Sequence, residues 1–229
     1  MPREKRITRA GLIYHVINRG NNRQPVFLED DDFRKYLGIL YRFKKQYQFK
    51  LFAYCLMTNH VHLLIQVGEK KTISQIMQSI TVAHTRHYHF KYQSSGHVWQ
   101  GRFNSPIVSD DEYLLNVMKY IEQNPLRARM VKNIGEYLWS SYRLNALAVQ
   151  CKMIDRQDNK VYQKLGETDD IRREQYIRLM KRGIAEQDLE DIRFSVKTGS
   201  YISEKFKVKI EQMMAKKRGR GRPRKVIYS

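Results

Sequence analysis

His60 and His62 stand one residue apart in Met57-Thr-Asn-His-Val-His-Leu-Leu-Ile65, a run with the composition of a strand. Side chains two apart on a strand point to the same side of the sheet. Both imidazoles can therefore reach one ion, while Val61 points the other way into a core. Neutral imidazole is a frequent metal ligand. A His-x-His pair is also short and common, and two histidines on the polar face of a half-exposed strand would look the same. A second group is Tyr120 and Asn124, four apart in a segment of helical periodicity, so they stack on one helix face. Leu114, Met118 and Ile121 form a separate apolar stripe suited to packing on a sheet. Tyr120 and Asn124 lie to one side of it, with Tyr113 and Val117, and can project toward the histidines. Asn124 also precedes Pro125, and that pair is equally a favoured start for a short helix, Pro125–Met130.

The elements that must position these groups follow from pattern. Leu12–Asn18 reads as a first strand, ended by the turn signal Arg19-Gly-Asn-Asn22. Asp30-Asp-Asp32 supplies a cap and N-terminal negative charge for a helix to about Tyr47, with Phe33, Leu37, Leu40 and Tyr41 as its buried stripe. Phe49–Leu56 and His60–Val67 form a hairpin turning at Met57-Thr-Asn59. Thr72 caps a long helix to about Tyr92, with Ile73, Ile76, Ile80 and Ala83 on one face. His97–Val108 reads as a further strand pair or an irregular loop, and Asp110-Asp111 open the helix carrying Tyr120. That helix should end near Asn124, because the residue before a proline disfavours helical geometry. The order is the split β-α-β pattern of a ferredoxin-like α+β domain: an antiparallel sheet with helices on one face, the other face left for a substrate.

Charge narrows the partner. The 229 residues carry 43 Lys and Arg against 23 Asp and Glu, a formal net charge of +20. Such a field favours a polyanion, and 15 Tyr, 9 Phe and 2 Trp offer rings on which bases can stack. The two cysteines, Cys55 and Cys151, make no disulfide framework and exclude a multi-cysteine zinc site, so a reducing compartment is the simpler reading. No apolar run long enough for a signal peptide or membrane span is visible, which points to a cytoplasmic, nucleoid-associated protein.

Beyond residue 145 the chain becomes polar and charged. Ile171, Tyr176, Leu179 and Met180 suggest one amphipathic helix, and Ser203–Met214 another, so residues 146–215 read as a helical extension. In residues 216–225 seven of ten are Lys or Arg and the rest Gly or Pro, so residues 216–229 form no core. Within them Arg220-Gly-Arg-Pro-Arg224 resembles an AT-hook, a segment that enters the narrow minor groove of A·T-rich duplex. A solvated polybasic tail that grips any phosphate backbone is the alternative.

Taken together, Met57-Thr-Asn-His-Val-His62, Tyr120-Ile-Glu-Gln-Asn-Pro-Leu-Arg-Ala128 and Trp139-Ser-Ser-Tyr142 resemble the single-tyrosine transposases of the His-hydrophobe-His endonuclease superfamily. The branch they resemble is that of the REP-associated tyrosine transposases, which act at repetitive extragenic palindromes in bacterial genomes. The resemblance covers residues 8–145 and marks residues 1–145 as the nuclease domain. That branch often has histidine where this chain has Glu122.

The resemblance implies that His60 and His62, with Asn124 as third ligand, hold one Mg²⁺ or Mn²⁺. Histidine is unusual for Mg²⁺, so Mn²⁺ is the expected preference in vitro. It implies that Tyr120 attacks single-stranded DNA to give a 5′-phosphotyrosine and a free 3′-OH, which can later reseal without ATP. The implied substrate is a palindrome folded as a hairpin with a short single-stranded guide nearby. A monomer is expected, with a dimer left open. A tyrosine of pKa about 10 needs a base at neutral pH, and the sequence names none. His84, His87 and His89 on the long helix read as solvent-facing or phosphate-contacting, and His15 and His97 stay unassigned. Position beside the presumed site picks Arg19, Lys44, Lys45, Arg86, Arg102, Arg127 and Arg129 as phosphate contacts, with Arg220, Arg222 and Arg224 in the tail. The competing function is a DNA- or RNA-binding regulator of the same fold that does not cut.

Overall fold

The computed structural model describes residues 6–199, apart from 109, 148 and 150. The expected helix Ser203–Met214 and the tail 216–229 therefore lie outside the described residues. Strand β1 (Ile13–Arg19) is followed by α1 (Asp30–Tyr47), the hairpin β2 (Lys50–Met57) and β3 (His60–Gln66), and α2 (Ile73–Tyr92). Each matches its expected bounds to within about two residues. The cap of α1 is Glu29 rather than an aspartate, and the Asp32 carboxylate accepts from the Glu29 backbone N–H at 3.1 Å. Thr72 caps α2 reciprocally with Gln75, two otherwise unpaired donors being satisfied together.

The sheet is antiparallel in the order β1-β3-β2, so β3 is central and His62 sits between Ile17 and Cys55. Residues 97–108 run along the outer edge of β1 as separate bridges rather than as a continuous strand. Pro106 explains the interruption. Its carbonyl accepts from His15 N at 2.9 Å, but it has no N–H to return. With this segment counted, the order is that of the expected ferredoxin-like sheet. The mixed α/β architecture with an antiparallel sheet agrees with the sequence pattern.

Helices α1 and α2 cover one face, burying Val16, Leu51, Leu56, Val61, Leu63 and Ile65 against Phe33, Leu40, Ile76 and Ile80. The second face is not left open, as the pattern suggested. Helix α3 (Asp111–Glu122) lays Leu114, Val117, Met118 and Ile121 on Phe52, Ala53, Cys55 and Leu64. Strand β2 is apolar on both sides, as a strand covered twice must be. Helices α5 (Tyr142–Ala146), α6 (Lys160–Gln163) and α7 (Asp169–Lys181) continue the same core through Tyr142, Val161, Tyr162, Tyr176 and Met180. A last described helix, α8 (Glu186–Thr198), buries Ile192 beside them. The extension thus shares a core with the sheet. Cys55 is buried, Cys151 exposed, and both are free. No helix among the described residues is long and apolar enough to cross a membrane.

Candidate active site

Register sets the site. His60 and His62 project from β3 toward α3, with ring centroids 5.0 Å apart. The Tyr120 ring, near the end of α3, lies 5.8 Å from the His62 ring in an edge-to-face arrangement. The separation of the three residues in sequence is closed by the packing of α3 on the sheet. His15, unassigned from sequence, completes the group from β1. Its Nε2 lies 3.0 Å from Nδ1 of His62, and its ring centre 5.8 Å from that of Tyr120.

Burial sets the protonation of these rings. It lowers the His15 pKa to about 3. His60 is lowered to about 4, by burial first and by the charge of Arg19 second. His62 is held well below its ordinary value by burial, then by His60, His15, Arg127 and Arg19. All three are neutral at pH 7, which leaves ring lone pairs available.

Each strand histidine has one nitrogen engaged. His60 Nδ1 is 2.6 Å from the Asn59 side-chain oxygen, to which it can only donate. When His62 Nδ1 donates to His15 Nε2, the Nε2 of His62 keeps its lone pair. Partners of this kind fix the tautomer of a metal-binding imidazole. The donor set therefore fits a divalent cation. Among the described residues no group of three His, Cys, Asp or Glu converges as a metal site. A third protein ligand for such an ion would be of another residue type, such as an amide oxygen.

Asn124 does not cap the short helix that follows it. The short helix α4 spans Asn124–Arg127 and is entered through Gln123, with no side-chain cap. The Asn124 amide nitrogen instead donates back to the carbonyls of Tyr120 at 2.8 Å and Ile121 at 3.3 Å, closing the end of α3. Its side-chain oxygen is not used in these bonds.

The cationic candidates separate. Arg127 is half-buried, with its guanidinium carbon 4.4 Å over the Tyr120 ring and hydrogen bonds to the Tyr120 carbonyl and Gln123. Arg19 and Arg102 line a cleft of about 610 Å³ beside Tyr120. Arg102 and Arg86 line a neighbouring cleft of about 640 Å³ against α2. Arg129 is exposed just past α4. Lys45 is exposed on α1, on the other face of the sheet from Tyr120. Lys44 is a correction. It is buried, and its ammonium bonds to Asp155 at 2.8 Å and the Lys152 carbonyl at 2.9 Å, so it ties α1 to the extension. Arg220, Arg222 and Arg224 lie outside the described residues. His84 is also not at the surface, being packed among Phe27, Tyr36 and Trp99.

Glu122 is the other unforeseen feature. It is fully buried and accepts from Ser141 at 2.5 Å, Asn145 at 2.8 Å and Tyr176 at 2.9 Å. Burial raises its pKa to about 7, against the opposing pull of those three hydrogen bonds. Through it the helix bearing Tyr120 is fastened to α5 and α7. Ser141, from the Trp139-Ser-Ser-Tyr142 segment, also bonds the β2 backbone at Tyr54. Arg193 and Lys197 of α8, likewise not singled out in the sequence, line the cleft beside Tyr120. The spacing of Leu189, Ile192 and Val196 was the available signal for that helix.

Comparisons with known proteins bear on this constellation. The family model of IS200-like transposases matches residues 8–124, more than half of the chain. A Haemophilus influenzae protein, provisionally named a REP-associated tyrosine transposase, is 29% identical over 115 residues. That match covers 45% of this chain and 65% of the relative, so this chain spans somewhat under two thirds of the relative's length. A solved structure of a REP-associated tyrosine transposase bound to a REP hairpin superposes with a TM-score of 0.54 at 15% identity. It covers 68% of this chain and 98% of that one, a likeness of fold.

Proposed function

The chain belongs to the IS200-like transposase family, and from that premise we propose that it cuts and rejoins single-stranded DNA at palindromic hairpins, with Tyr120 as nucleophile. The observation that carries this reading is the convergence of Tyr120 with His60 and His62 at a cleft lined by cations. The hairpin named for the solved relative supports the same substrate class here.

His60 and His62, with the Asn124 side-chain oxygen, would hold a divalent ion, Mg²⁺ or Mn²⁺. Its contribution is to offset charge on the phosphate oxygens and polarise the phosphorus. Everything else falls to the chain. The Tyr120 oxygen attacks the scissile phosphorus, the phenolic proton departs, and the 3′-oxygen leaves with a proton as a free hydroxyl. The product is a 5′-phosphotyrosine. One phosphodiester has replaced another, so attack by a 3′-OH restores a DNA strand without an external energy source. Arg127 holds a positive charge against the Tyr120 ring, beside the phosphate that the ring would attack. His15 fixes the ring of His62, and Glu122 fixes the helix of Tyr120. Residues 1–145 supply this chemistry, and the tail 216–229 is proposed to add affinity for DNA.

The test is incubation with a labelled hairpin oligonucleotide bearing a single-stranded flank, in Mn²⁺, followed by denaturing electrophoresis. A denaturation-resistant protein–DNA adduct is expected. Binding without an adduct, in Mn²⁺ and in Mg²⁺, would favour the non-cutting regulator.

A further inference from the structure

The cleft beside Tyr120 has one wall from β1, one from residues 100–104 and a third from α8. Four of its lining residues are cations: Arg19, Arg102, Arg193 and Lys197. Among the described residues none of those lining it is a carboxylate. Arg193 also lies near enough to Arg127 to work against its charge. Like charges four apart on a helix repel, and here they face further cations across a gap. Such an arrangement gains by taking up a polyanion, above all where the cleft walls concentrate the field. Among the described residues Arg193 makes one ion pair, to Glu186 at 3.4 Å, and both of its members are more than half exposed, so water weakens it.

Helix α8 is not loosely appended. Its Val196 carbonyl accepts from the Asn104 amide at 2.9 Å. Ser195 is buried, with its hydroxyl 3.2 Å from that of Tyr113 on α3. Asn116 of α3 donates to Asp188 at 3.0 Å. Each bond fixes α8 against the helix of Tyr120 or the loop across the cleft. Its apolar side goes inward through Ile192, and Arg193, Val196 and Lys197 share the side that faces the cleft.

We propose that α8 is a wall of the DNA site, and that Arg193 and Lys197 hold backbone phosphates of the strand passing Tyr120. This rests on the cutting of single-stranded DNA proposed above. It gives the extension a direct part in substrate binding.

The experiment uses the full chain and a fluorescein-labelled hairpin oligonucleotide with a single-stranded flank, with affinity read by anisotropy over a range of salt. For Arg193→Ala/Lys197→Ala, affinity should fall about tenfold or more. The slope of log affinity against log salt should drop by about 1.4, as for two single-strand phosphates released. Arg193→Lys/Lys197→Arg should keep most of the affinity. A charge-matched control, Lys152→Ala/Lys160→Ala, is exposed elsewhere on the extension and should change neither quantity. Unchanged affinity and slope in the first variant overturn the proposal. So does an equal loss in the control, which would mean that net charge alone is felt. The adduct assay on the unaltered chain reports separately on cutting. Lost binding in the α8 variant with no adduct from the unaltered chain leaves α8 as a DNA wall and removes the nuclease. A normal adduct with normal binding by the variant does the reverse.

Discussion

Val61, Leu63 and Ile65 leave β3 toward α1 and α2, while His60 and His62 leave it toward α3. The first set meets a continuous apolar layer, and the second meets Tyr120, Arg127 and a cationic cleft. The apolar face has a buried histidine of its own. His84 is lowered to about 4 by burial, comparably to His60. Its ring neighbours are Phe27, Tyr36 and Trp99, and the charges it feels are those of His87 and Asp32. A depressed histidine pKa therefore does not mark a site by itself. What separates the faces is that the rings of His62 and Tyr120 meet at a cleft lined by cations.

The division predicts that substitutions on one face change chemistry and on the other change stability. Tyr120→Phe should lower adduct formation at least about a thousandfold, with little change in the urea midpoint. Excess EDTA should silence the unaltered chain to the same degree. An adduct from the phenylalanine variant would take Tyr120 out of the reaction, and cutting undiminished in EDTA would take out the ion. Leu63→Ala is the mirror case. It should cost about 2–5 kcal/mol in urea unfolding, and the folded fraction should still form adduct. A stable but inactive Leu63 variant would blur the two faces.

A pH series sharpens the histidine comparison. The folded pKa of His84 lies below its ordinary 6.5, so the neutral ring is favoured by folding. Its contribution is complete above pH 6.5 and is lost as pH falls through about 4. At most about 3 kcal/mol is at stake. In His84→Phe the loss of stability between pH 6.5 and 4 should be smaller than in the parent by part of that amount. Identical pH profiles would show that the ring is not held neutral. The smallest effect concerns Asn124→Ala, which removes two bonds closing α3 and should cost about 1 kcal/mol. Asn124→Asp should cost more, because a carboxylate cannot donate to those carbonyls. If the alanine variant melts normally but forms no adduct, the side-chain oxygen is the part that matters.

Six elements were legible to within about two residues because their signals are local: the apolar run of β1 and the turn signal after it, the Thr72 cap, and the apolar stripe of α3. The histidine pair and Tyr120 were legible as types at a spacing. Less legible was whatever depends on a distant partner. Lys44 looked like a surface cation because Asp155 is 111 residues away. His15 could not be assigned, since only the pairing of β1 with β3 brings it to His62. Residues 97–108 gave an ambiguous pattern because Pro106 breaks the ladder they otherwise follow. Helix α8 was missed because its apolar positions are few among charged ones.

The sheet's outer borders have a consequence for how the chain is made. β1 is bordered by residues 98–108, and β2 by backbone from Trp139, Ser141 and Asp155. Neither border can be closed early during synthesis on the ribosome. Until residue 155 has emerged, β2 presents Leu51, Tyr54 and Leu56 with backbone groups unmatched, a template for strands of other chains. A chain ending at residue 138 should accordingly scatter light at concentrations where the full chain stays clear. If it remains clear, something other than these late segments protects the nascent sheet. The stretch that closes β2 includes Ser141, which also bonds Glu122 two residues past Tyr120. Completing the sheet and setting the helix of Tyr120 are thus one late event in the life of the polypeptide.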